Sequence, residues 1–140
     1  YRDALVKSGW RIEDDEVCCV YHTHFLAEGN NAILEATVHT AMAEYAKAGL
    51  EAARKPADPL AYKGYEQRDA GQRKFEFKSY FPGRVLMGGP EQAIERCKVL
   101  ADVGITQIGM LIDFGSLPQN EIMRSLEIFG KEVLPHVRDL

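Results

Sequence analysis

The chain's 140 residues are 46% apolar and 27% charged, enough apolar material for one domain with its own core and none of the bias that marks disorder. A formal net charge of −4 argues against a general affinity for nucleic acid or for an anionic membrane surface. No apolar run is long enough for a membrane span, and Cys18, Cys19 and Cys97 form neither a disulfide framework nor a zinc spacing, so a reducing cytoplasm is the expected setting.

The chain opens at Tyr1 inside what reads as the tail of a helix, closed after Ser8 by Gly9, and is therefore expected to be a piece of a longer polypeptide. Val17 to Phe25 follows as a strand. It is apolar on both faces over its first half, the pattern of a strand buried between two helical layers. Asn30 to Arg54 places Ile33, Leu34, Val38, Met42, Tyr45 and Leu50 at helical spacing behind an asparagine cap, and Pro56 and Pro59 end it.

Residues 55–83 form an irregular stretch, longer than a plain connection in a compact domain, and read as a variable, lid-like insertion within a single domain spanning 1–140. Within it, Lys74 to Lys78 alternates at period two and predicts a short extra strand. Basic and aromatic side chains interleave from Lys63 to Arg84. They suit a loop that closes on an anionic or planar ligand better than a nucleic-acid surface on an acidic chain.

Val85 to Met87 is a short buried strand, and Gly88-Gly89-Pro90 turns it into a helix that presents Ile94, Cys97, Leu100 and Ala101 before Gly104. Ile105 to Asp113 is the third strand. Glu121 to Leu134 is an amphipathic helix expected to stop at Pro135. Strands that alternate with helices need crossover connections, so the sheet is expected to be parallel and covered on both faces, an α/β architecture. Three such strands leave two open edges, and the isolated chain is expected to associate with itself.

Chemistry in such sheets gathers at the carboxyl ends of the strands. Three places qualify. His22 and His24, two apart, lie on one face and suit ligand contact, a metal, or plain packing; a metal would need a further ligand, for which Asp113 stands at a comparable strand end. Gly88 and Gly89 precede a helix amino terminus, where backbone N–H groups favour an anion, although the turn lacks the lysine of a P-loop. Asp113-Phe114-Gly115 matches a kinase triplet only as a string.

Taken together, GRVLMGGPEQAIERCKVLADVGITQIGMLIDFGSLPQNEIMRSLEIFGKEVLPHVRDL over 83–140 resembles the end of the bacterial luciferase-like monooxygenase family. VYHTHFLAEGNNAILEATVHTAMAEYAKAGL over 20–50 is similar to that family's sixth strand and the helix after it. The resemblance implies a (β/α)8 TIM barrel of which this chain supplies about strands 6 to 8, completed by oligomerisation or segment exchange. It implies reduced FMN, or a deazaflavin in its place, delivered by a flavin reductase and used with oxygen on a small organic substrate. It implies flavin or substrate neighbours at His22 and His24, with Arg73 or Arg84 near the lid; by their places at the strand ends Gly88 and Gly89 are added as candidate cofactor contacts and Asp113 as a candidate on the substrate side. No metal belongs to it. Because most of the barrel lies outside these residues, the piece alone is expected to bind flavin poorly and to be inactive. Two rivals stand beside it: a non-catalytic half-barrel association module, and a metal-dependent hydrolase using His22 and His24.

Overall fold

A computed structural model describes residues 2–11, 16–53 and 76–140. Helix α1, Arg2–Lys7, is closed by Gly9 in the left-handed conformation at φ +82°. Strand β1 is Cys18–Phe25 and helix α2 is Asn31–Ala53. Asn30 caps α2 through Oδ1, which accepts the N–H of Ala32 at 3.0 Å and of Ile33 at 3.2 Å. A helical turn α3, Phe77–Tyr80, leads into β2, Leu86–Gly88; helix α4, Pro90–Asp102, and strand β3, Gln107–Leu111, follow. Helix α5, Gln119–Ile128, passes through a π-helical turn, Phe129–Val133, into α6, Leu134–Val137. No described helix is long and apolar enough to cross a membrane.

The three strands are parallel, in the order β2-β1-β3. Thr23 pairs with Leu86 on one side of β1, and Cys18 to His22 pair with Gln107 to Leu111 on the other. The connection from β1 moves one way across the sheet and the connection from β2 moves back. If both keep the usual right hand, their helices must lie on opposite faces. That is the arrangement found. Leu34, Val38 and Met42 of α2 pack with Met87 and Phe114 on one face; Ala93 and Cys97 of α4 pack with Phe25, Leu86 and Val133 on the other. The order departs from that of three successive barrel strands, in which β2 would stand between β1 and β3.

Beyond Leu111 the β3 side of β1 is occupied by α5. Ser125 Oγ accepts the Phe25 N–H at 2.8 Å, a buried bond that replaces a ladder carbonyl. Ser125→Ala would leave that N–H buried and unpaired, a loss of about 1–3 kcal/mol that urea unfolding would read.

Three expectations need correction. The amino half of β1 is not buried on both faces: Cys18 is exposed and Val20 is 71% exposed, because α2 covers the carboxyl half of that face. The predicted strand near Lys74 to Lys78 is replaced, over its described residues, by the start of α3. Phe77 and Tyr80, three apart, are both buried by one helical turn, and Ser79 Oγ donates to the Glu76 carbonyl at 2.6 Å. Pro135 does not stop the last helix. It has no N–H for the Lys131 carbonyl, and one turn earlier the ladder widens so that the Leu134 N–H donates to Phe129 O. The widened turn leaves Phe129 stacked on Phe25, ring centroids 5.3 Å apart, with Val133 fully buried.

Candidate functional site at the strand carboxyl ends

The carboxyl half of β1 brings His22, Thr23 and His24 into the interior. Thr23 and His24 are each 1% exposed, and with Ser125 they are the buried polar residues among those described. His22 lies between two aromatic edges, Tyr45 of α2 with centroids 4.7 Å away at 74° and Phe114 at 5.2 Å and 86°. Among the described residues, His22 Nε2, both ring nitrogens of His24 and Thr23 Oγ1 have no hydrogen-bond partner. Burial lowers the pKa of both histidines from 6.5, and for His24 the charge of Glu121 opposes part of that fall. At neutral pH each imidazole is therefore uncharged and presents one N–H donor and one lone pair.

Burial of neutral histidines has a sign in stability. Their folded pKa values lie below the unfolded value of 6.5, so the unfolded chain takes up protons first as the pH falls. Stability is complete above 6.5 and declines as the pH drops below it towards the folded values. The urea midpoint should fall between neutral and mildly acidic pH, and His24→Leu should flatten that dependence; an unchanged slope in the variant would remove His24 as its source.

The loop after β3 supplies the other wall. Gly115 sits at φ +61°, where a Cβ would run into the Ala41 carbonyl oxygen of α2, so the turn presses backbone to backbone. This seats Phe114, 1% exposed, against His22 and leaves Asp113 exposed at the strand end. Asp113 is thus near the site but turned towards solvent.

The glycine turn after β2 serves packing. A Cβ on Gly89 would lie 2.7 Å from the Gly29 nitrogen, so the β1–α2 and β2–α4 loops touch through their backbones. Gly88 adopts φ +131°, and the Gly89 N–H already donates to Gln92 Oε1 at 3.0 Å. The Gly89 N–H is thus engaged by a side chain of its own helix's first turn. A shallow open depression of about 540 Å³ lies beside it, lined by Glu28 to Ala32, where Asn30 already caps α2.

Arg84 is exposed just before β2, while Arg73 lies outside the described residues. Among the described residues no group of three or more His, Cys, Asp or Glu is arranged to hold a metal ion. The sequence reading missed Tyr45 and Phe114 as walls of His22, and Glu121 as the charge acting on His24. It also gave His39 no role. His39 lies nearly parallel to Tyr80 at 7°, with Nδ1 3.3 Å from the phenol oxygen. Burial, aided by the Glu35 carboxylate, pushes the Tyr80 pKa up to about 12.

No family model matches the chain, and no curated protein matches it. Among solved structures, the monooxygenase RslO1 from Streptomyces bottropensis is similar, with a TM-score of 0.59 and 21% identity over 97% of this chain and 35% of that one. The chain shares its fold with part of a monooxygenase. It spans about a third of that structure's length.

Proposed function

We propose that the chain is the C-terminal part of a flavin-dependent, luciferase-like monooxygenase built on a (β/α)8 barrel. The observation that carries this reading is coverage: 97% of the chain follows the fold of one monooxygenase while filling 35% of it. The ordered motifs over 20–50 and 83–140 point the same way.

Reduced FMN, or a deazaflavin in its place, would supply the electrons with which oxygen is activated. The unpartnered nitrogens of His22 and His24 fit a polar neighbour, either the edge of such a ring or the substrate. At the Gly88-Gly89 turn a phosphate would have to displace Gln92, whose Oε1 accepts the Gly89 N–H. In this reading His22 holds a neutral donor or acceptor towards the ligand, and Tyr45 and Phe114 fix its ring and limit water around it. Asp113, at the exposed end of β3, is a substrate-side neighbour.

Flavin fluorescence titration tests the reading. The longer polypeptide should bind flavin and this chain alone should not, and His22→Ala in the longer protein should weaken binding or turnover at least several-fold. Absence of flavin binding by the longer protein would overturn the assignment. A structure of that protein with β3 still beside β1 would replace the barrel by an open, doubly wound sheet.

A second reading, a self-associating module without catalysis, is favoured by the outer margin of β3. Gln107–Leu111 carries no charge and no proline, and Val20 beside it is 71% exposed. A native mass equal to that of these 140 residues, with concentration-dependent sedimentation, would favour the module.

A further inference from the structure

We draw no further inference here: the strongest candidate, the uncharged outer edge of β3 with the exposed Val20 beside it, carries nothing because nothing in the structure shows what covers it.

Discussion

Gly115→Ala should lower the unfolding free energy by roughly 3 kcal/mol, combining the left-handed conformation with a forced contact in a packed interior. The added methyl would meet the Ala41 carbonyl oxygen and sit 2.6 Å from its carbonyl carbon. Both belong to the α2 backbone, which cannot rotate aside as a side chain would. For a domain of this size the loss corresponds to a fall in Tm of roughly 10 °C. Gly115→Asn separates the two causes. Asparagine tolerates the left-handed region but brings the same Cβ, so it should be nearly as damaging. Gly130→Ala is the control, because nothing lies within 4 Å of a Cβ there and its φ is not positive. A Gly115→Ala chain as stable as its parent would mean that the β3–α5 loop does not press on α2 as described.

Phe114→Ala should cost about 3–5 kcal/mol, the usual range for deleting a buried aromatic ring. The ring is 1% exposed and packs in the cluster with Leu34, Val38 and Met42 of α2. Its edge also covers His22, so its removal should admit water and let the His22 pKa rise back towards 6.5. Phe114→Leu keeps most of the volume and should cost less than about 1.5 kcal/mol, leaving a folded protein in which the imidazole titration can be followed by NMR. An unmoved His22 titration in that variant would show that Phe114 does not control the histidine's surroundings.

Much of the architecture could be read from local signals. Asn30 or Asn31 before α2, Pro90 at the head of α4 and Gly104 behind it mark their boundaries by backbone chemistry, and the structure keeps all three roles, with Asn30 as the cap. The order of the strands was not legible. Every parallel arrangement of these strands needs the same apolar runs, and the return of β3 to β1 is decided by the direction of a crossover that passes over another strand. The behaviour of Pro135 was missed for a related reason. Proline forbids one hydrogen bond, but whether a helix ends or widens there depends on what lies beneath it, here Phe25 under Phe129.

At the site, residue types were legible and their settings were not. His22 and His24 were found from their period of two, yet the setting of His22 depends on Tyr45, Phe114 and Gly115, which lie 20 or more positions away in the chain. Gly88 and Gly89 read equally as an anion turn or as ordinary turn punctuation. Only the structure shows the packing need at Gly89, where the Gly29 backbone occupies the space a side chain would take.

The bond from Phe25 N–H to Ser125 Oγ limits how this sheet can grow. With that slot filled by a hydroxyl on a helix, the central strand is sealed against insertion past the tip of β3. As the sheet stands, a further strand can join only at the flank of β2 or of β3, so closure into a barrel would require β3 to leave the side of β1.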